Sequence, residues 1–525
     1  MTARVEIRKL ATGVRGLDEV LGGGIPELSF NVIAGAPGCG KTTLAHQFLF
    51  ANASPQRPGV YFTVYGEPPI KMLRYQQQFE FFDSARLGHE IRFVHLGKEL
   101  LVGGLPAVLA RIENELESSE PGTVVVDSFR SLSRVQHGQS SDDQQLSLDG
   151  FVQRLALTLT SYEATTFLVG EYLEPHETSN PVFTVADGII WLHQTVVRNS
   201  VVRRLQVVKV RGQAQIPGMH TVKISSEGVQ VFPRIPKPQE RSQVAAGSAD
   251  KKASPERRKL GVAGLDEMLG GGIPAGYSML VAGPSGSGKT MLGTQFLLEG
   301  VRHGEPGVIA IFEKRPEEYL RAGARAREVQ NLIDEAKIEL VYIRPLDLSV
   351  DETLDELKRA VDRIGATRLV IDSLSGLELA LAPAFRDDFR ESLYRMVGAL
   401  TNMGVTVLMT AEVIDSFTEL RLSPHGISFL TDGIVLQRYV EIDGVMRKAL
   451  MVIKMRASAH AKELREYEIT AHGVVMGQPL TGYRGLLTGV ATAGTVASSR
   501  KKAAATKPTP KRASRAPAKR PAKKR

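Results

Sequence analysis

One phosphate-cradling loop occurs twice in this chain and ties each half to a strand–loop–helix unit. The first copy is Gly35, Ala36, Pro37, Gly38, Cys39, Gly40, Lys41 and Thr42, with Thr43 following. The second is Gly283, Pro284, Ser285, Gly286, Ser287, Gly288, Lys289 and Thr290, with Met291 following. Both fit G-x-x-x-x-G-K-[ST], each after an apolar run (NVIA, MLVA) and before a helix-like run (TLAHQFLF, MLGTQFLL). The glycines let successive N–H groups point at phosphate oxygens. Lys41 and Lys289 are expected to reach the β/γ-phosphates of ATP, and Thr42 and Thr290 to hold Mg²⁺. A glycine-rich turn without a ligand is the competing reading, and two matches inside one internal repeat argue against it.

The repeat is wider than the loops. GVRGLDEVLGGGIP at 13–26 returns as GVAGLDEMLGGGIP at 261–274, so the duplication has the scale of a domain. The expected organisation is a first domain over 1–235, a linker over 236–259, a second domain over 260–480 and a disordered Lys/Ala/Pro-rich basic tail over 481–525. Each copy suits one α/β domain, a mostly parallel sheet flanked by helices. The linker is rich in Pro, Ser, Ala and charge and has no periodic apolar face.

Composition narrows the class. With 42% hydrophobic and 23% charged residues, the chain can build two cores. No apolar run approaches a membrane span, and MTARVEIRKL has no signal-peptide core, so a cytoplasmic protein without membrane contact is expected. The single cysteine, Cys39, fits a reducing compartment. Its place in the first loop allows either an oxidisable thiol or a small filler, and the filler is the better reading. The net charge of +9 belongs to the end of the chain, since residues 500–525 carry twelve Lys and Arg and no acid. Such Ala/Pro/Lys sequence is expected to stay disordered. It is either a solubilising extension or a non-specific nucleic-acid tether, and it has no interleaved aromatics to stack on bases.

Three further elements repeat. TVVVDS and RLVIDS are buried strands ending at Asp127 and Asp372, where a doubly wound sheet places ligands and a carboxylate can hold Mg²⁺. Past the strand that follows the first helix of each copy, Glu313 stands where the first copy has Tyr65, while Glu67 lies two residues farther along. These are the candidate catalytic carboxylates, with a solvated turn residue as the alternative. LQVVKVRG and LMVIKMRA put Lys209 with Arg211, and Lys454 with Arg456, on one face of a strand. They are either an exposed basic face or contacts to phosphate bound by a neighbouring subunit.

Taken together, the GLDE–LGGGIP segments, both loops, VVVDS/LVIDS and the paired K-x-R strands resemble the KaiC family of RecA-like ATPases over about residues 7–475. The second copy includes DGIVLQRYVEIDG and KMRASAHAKELREYEIT. The resemblance implies two tandem RecA-like P-loop NTPase domains, a hexameric double ring with ATP at subunit interfaces, and slow hydrolysis. It also implies serine/threonine autokinase activity in the second ring, with type members that keep circadian time, and so Kai-type protein partners. Residue by residue, it assigns Ser428 as phosphoacceptor and His460 as an interface contact near the nucleotide. The family's adjacent Ser-Thr acceptors are Ser428–Phe429 here, and Phe183 occupies the first-domain position. Its adjacent glutamates are Glu313–Lys314 in the second copy and Tyr65–Gly66 in the first. The expected function is a KaiC-like ATPase ring in signalling or timing. The competing readings are a RecA-type nucleic-acid-dependent ATPase holding DNA through its tail, and a nucleotide-gated scaffold with little hydrolysis.

Overall fold

Apolar runs without polar alternation, such as Phe30–Gly35 and Ser278–Gly283, are buried along their whole length, as strands inside a sheet covered on both faces must be. The computed structural model describes residues 7–64, 69–128, 148–172, 181–197, 200–234, 256–322, 325–343, 348–413, 430–456, 458–486 and 492–493. In the first domain the strands are β1 (Phe30–Gly35), β2 (Gly59–Thr63), β3 (Ile91–His95), β4 (Thr123–Asp127), β5 (Thr165–Glu171), β6 (Gly188–Val197), β7 (Ser200–Val210), β8 (Met219–Ser225) and β9 (Gly228–Phe232). The second domain repeats them as β10 (Ser278–Gly283), β11 (Gly307–Ile311), β12 (Ile338–Tyr342), β13 (Arg368–Asp372), β14 (Thr406–Glu412), β15 (Gly433–Ile442), β16 (Val445–Met455), β17 (Arg465–Thr470) and β18 (Gly473–Pro479).

The two sheets have one topology. The first runs β3-β2-β4-β5-β1-β6-β7-β8-β9 and the second β12-β11-β13-β14-β10-β15-β16-β17-β18. The strands from β3 to β6, and from β12 to β15, are parallel, and the last three in each sheet are antiparallel. Even the bulge is shared, falling between Ile189 and Ile190 in β6 and between Ile434 and Val435 in β15. These are tandem RecA-like domains, as expected from the sequence.

Helices cover both faces. In the first domain α1 (Lys41–Asn52) lies on one face with Leu44, Phe48 and Leu49 in its core, while α2 (Gly97–Ser119) and α3 (Leu148–Ser161) bury Ile112 and Leu155 on the other. The second domain uses α4 (Lys289–Arg302) on one face and α5 (Val350–Ile364) with α6 (Phe389–Asn402) on the other. The domains meet where β7–β9 approach α5. Lys223 reaches Glu352 at 2.6 Å, Arg15 pairs with Asp355, and the Arg204 guanidinium lies 4.9 Å from the Phe385 ring centre.

Two boundaries differ from the sequence reading. Arg257–Arg258, read as linker, form a short strand paired with Ile273–Pro274, just as Lys9–Leu10 pair with Ile25–Pro26. The region read as disordered from 481 begins with ordered chain: Tyr483–Arg484 pair with Thr492–Ala493, and Leu486 is buried against Val440, Ile442 and Ala449. An apolar residue there gives the backbone something to pack on, which the Ala/Pro/Lys composition beyond Arg500 does not. The basic run itself lies outside the described residues. No described helix is long and apolar enough to cross a membrane.

Candidate functional site

Both loops join the C-terminal end of a central strand to the start of a helix, β1 to α1 and β10 to α4. Gly40 and Gly288, each just before the lysine, adopt left-handed φ values of 104° and 93°. A Cβ there would come within 2.6 Å of Ile224 Cδ1 in one domain and 2.8 Å of Ile469 Cδ1 in the other. Glycine is therefore favoured by conformation, and a larger residue would also have to push an isoleucine methyl aside. The following helix N-terminus aims its N–H groups into the loop, a ready anion site.

The lysines are held inside the loops. Lys41 Nζ donates to the Ala36 carbonyl at 2.8 Å, and Lys289 Nζ to those of Gly283 and Pro284 at 2.9 and 2.7 Å. Burial pushes the Lys289 ammonium pKa down, opposed by the negative charges of Glu412, Asp372 and Glu313. Thr42 donates to Asp127 at 2.8 Å and Thr290 to Asp372 at 2.7 Å, so the hydroxyl and carboxylate read from separate motifs meet in both domains. The Asp127 carboxyl pKa is pushed up by burial and drawn back by hydrogen bonds from Tyr61 and Thr42. Each aspartate precedes a cis peptide bond, to Ser128 and to Ser373.

The oxygens present suit a divalent cation. Among the described residues no group of three or more His, Cys, Asp or Glu side chains forms a self-sufficient metal cage. Each Thr–Asp pair supplies hard oxygen donors, which fits magnesium completed by phosphate oxygens and water.

In the second domain these groups line a cavity of about 390 Å³ with Glu313, Ser373, Glu412 and Tyr319. It opens beyond the carboxyl ends of β10, β11, β13 and β14, where such sheets bind ligands. Ser373 Oγ donates to Glu313 Oε1 at 3.0 Å and accepts from the Gly376 N–H at 3.1 Å, which orients the carboxylate. Glu67 lies outside the described residues, as does Ser428. Thr431, the hydroxyl residue three positions after Ser428 and thus a fallback acceptor, is only 1% exposed, so its hydroxyl is not presented to a nucleotide. Cys39 is buried, and burial pushes its thiol up, which supports the filler reading.

The basic pairs sit at the far end of each sheet. Lys209 donates to the Ala186 carbonyl and Arg211 pairs with Asp187 at 3.0 Å; Lys454 donates to the Thr431 carbonyl and Arg456 pairs with Asp432 at 3.3 Å. Asp187 and Asp432 also accept from Phe30 N–H and Ser278 N–H, at the beginning of β1 and β10. The loops are at the opposite ends of those six-residue strands, roughly 17 Å away at about 3.3 Å per residue. Within one chain the pairs do not reach their own loop. His460 lies near this end, its Nδ1 3.0 Å from the Ala461 carbonyl, while Ala461 N–H donates to Met268; Gln215, its first-domain counterpart, donates to Val207.

Several functional neighbours were not read from the sequence, Ser373 and Thr410 among them. Glu412 and its counterpart Glu171 end β14 and β5 beside the aspartates, and the repeated pattern of a buried strand ending in glutamate was a signal for them. Tyr61 donates to Asp127 Oδ2 at 2.6 Å from inside β2, with nothing in its local sequence to mark it.

Comparison with known proteins agrees with this construction. A family model described as "ATPase: KaiC" matches residues 10–235 and 258–481. The circadian clock protein KaiC3 of Synechocystis is 28% identical over 497 residues, covering 92% of this chain and 94% of that protein. The circadian clock oscillator protein KaiC of Synechococcus elongatus is 27% identical over 507 residues, covering 93% of each. That of Rippkaea orientalis is 27% identical over 499 residues, covering 93% and 92%.

Proposed function

The chain belongs to the KaiC family of ATPases, and from that premise we propose that it is a slow ATP hydrolase working as a ring, with serine autokinase activity in its second domain and a role in timing or signalling. The observation that carries this reading is the complete set of phosphate loop, lysine, threonine and aspartate in both domains, joined in the second by Glu313 on a cavity wall.

Loop N–H groups and Lys41 or Lys289 bind the β- and γ-phosphates. Magnesium at Thr42 and Asp127, and at Thr290 and Asp372, would supply neutralisation of phosphate charge. Glu313 accepts the proton of the attacking hydroxyl, from water for hydrolysis or from Ser428 of a neighbouring subunit for phosphorylation. Ser373 keeps its carboxylate aimed. Lys209 with Arg211, and Lys454 with Arg456 and His460, complete the sites of the adjoining subunit; their placement away from their own loops supports this role. Kai-type proteins are the partners proposed by analogy with the relatives' names.

Glu313→Gln keeps the shape and removes the base, so second-domain turnover is expected to fall by about 10²-fold or more. Labelled ATP followed by mass spectrometry then assigns the acceptor. Label at Ser428 in the parent and none in Ser428→Ala is expected; equal labelling in both would move the acceptor elsewhere, and none in either leaves an ATPase without kinase activity. Assembly is expected to depend on nucleotide, because charge placed at an interface phosphate links binding to association. Light scattering should give a hexamer with saturating Mg·ATP and a smaller mass after Arg211→Ala with Arg456→Ala. A monomer at saturating nucleotide would end both the ring and the cross-subunit roles.

A further inference from the structure

The two sites differ around the carboxylate that faces the cation. In the second domain Asp372 divides its donors: Oδ2 accepts from Thr290 and Oδ1 from Thr410 on β14. In the first domain the residue matching Thr410, fifth in β5, is Val169. There Oδ2 of Asp127 accepts two hydrogen bonds at once, from Thr42 at 2.8 Å and from the Tyr61 phenol at 2.6 Å. The residue matching Tyr61, third in β11, is Ile309, which has no donor.

Tyr61 has little freedom to leave. It is fully buried, away from the protein surface. The His46 ring stacks on it at 4.4 Å and 9°, and Phe93 packs at 5.3 Å. His46 matches Thr294 in α4, so this stack is also confined to the first domain. A phenol is a stronger acid than an aliphatic alcohol and donates a stronger hydrogen bond to a carboxylate. It withdraws negative charge from the protein carboxylate that faces the cation.

We propose that Tyr61 is an affinity-setting residue that weakens the hold of Asp127 on the divalent cation bound with ATP, making the first site the lower-affinity metal site of the two. The proposal rests on the reading of both domains as ATP–metal sites. It gives the chain a device for responding to free divalent cation in one ring while the other stays saturated.

The test uses the full-length protein with a non-hydrolysable ATP analogue, Mn²⁺ as the probe, and electron paramagnetic resonance to count free Mn²⁺. The parent protein is expected to show two classes of Mn²⁺ site in equal number, differing by up to about tenfold in affinity, because each aspartate accepts two hydrogen bonds and the difference is that of a phenol donor over an alcohol. Tyr61→Phe should bring the weak class to within a few-fold of the tight one and leave the tight class where it was, which also reports that the second domain is intact. Tyr61→Ile, which installs the second domain's own residue, should give the same shift and stands in if the phenylalanine variant loses a nucleotide. One uniform class in the parent, or a weak class that stays put or weakens further in both variants, overturns the proposal and leaves the ATPase reading in place. Absence of any nucleotide-dependent Mn²⁺ binding overturns both.

Discussion

Alanine in place of Lys41 or of Lys289 is expected to remove one of the two nucleotides that each chain binds, halving the stoichiometry in either variant. Each ammonium sits inside its loop, with Lys41 only 6% exposed and held by Ala36, and Lys289 held by Gly283 and Pro284. Without it, the phosphates lose their charge-assisted partner and the loop carbonyls lose a donor. At about 1.5–3 kcal/mol per such bond, loss of two weakens binding by roughly 10² to 10⁴-fold. Equilibrium dialysis at micromolar nucleotide should give one site per chain in each variant and none in the double variant. Unchanged stoichiometry in either single variant would remove that loop from the reading.

The second large effect is on stability. Arg368 begins β13 and is only 2% exposed. Its guanidinium holds Glu305 with two contacts at 2.6 Å, donates to the Lys259 and Phe296 carbonyls at 2.7 Å each, and lies 4.6 Å from the Phe296 ring centre. It ties the start of the second domain, helix α4 and the sheet to one group. Arg368→Ala breaks a buried pair and leaves Glu305 with less compensation, which costs about 3–5 kcal/mol. For a domain of this size that lowers the melting temperature by roughly 10 °C. The first domain has Thr123 at this position, so calorimetry should show only the second-domain transition moving. A shift below about 2 °C would mean that the network is no more than a surface-like pair.

Much of the site was legible before any fold was known. Thr42 and Asp127 were each assigned to the cation from separate motifs, and the fold brings them to 2.8 Å; Thr290 and Asp372 meet at 2.7 Å. The duplication was legible too, because identical spacing demands identical topology, and the two nine-stranded sheets share one order. Glu313 was expected just past a strand end and follows β11 by two residues, whereas its partner Ser373 was not read. Arg368 gave no warning: in TRLVIDS it reads as a polar residue at a strand's beginning, and only the packing of Glu305 and Phe296 makes it core.

What the sequence determined by itself is local. A phosphate loop is a backbone conformation encoded within eight residues, where glycine supplies the left-handed φ at Gly40 and Gly288 and the lysine follows directly. Buried strands and their terminal aspartates are likewise written in short runs of apolar sequence. What only the tertiary structure decided is who stands beside those residues across the sheet. Asp127 meets Tyr61 because β4 lies next to β2, and Asp372 meets Thr410 because β13 lies next to β14. The same strand order sends Lys209 and Lys454 to the end opposite their own loops. Neighbours of this kind are set by strand order and by the two-residue alternation of side chains. The alternation can be read from a strand's own sequence, but strand order cannot be read from a motif, and it is needed to tell the two sites apart.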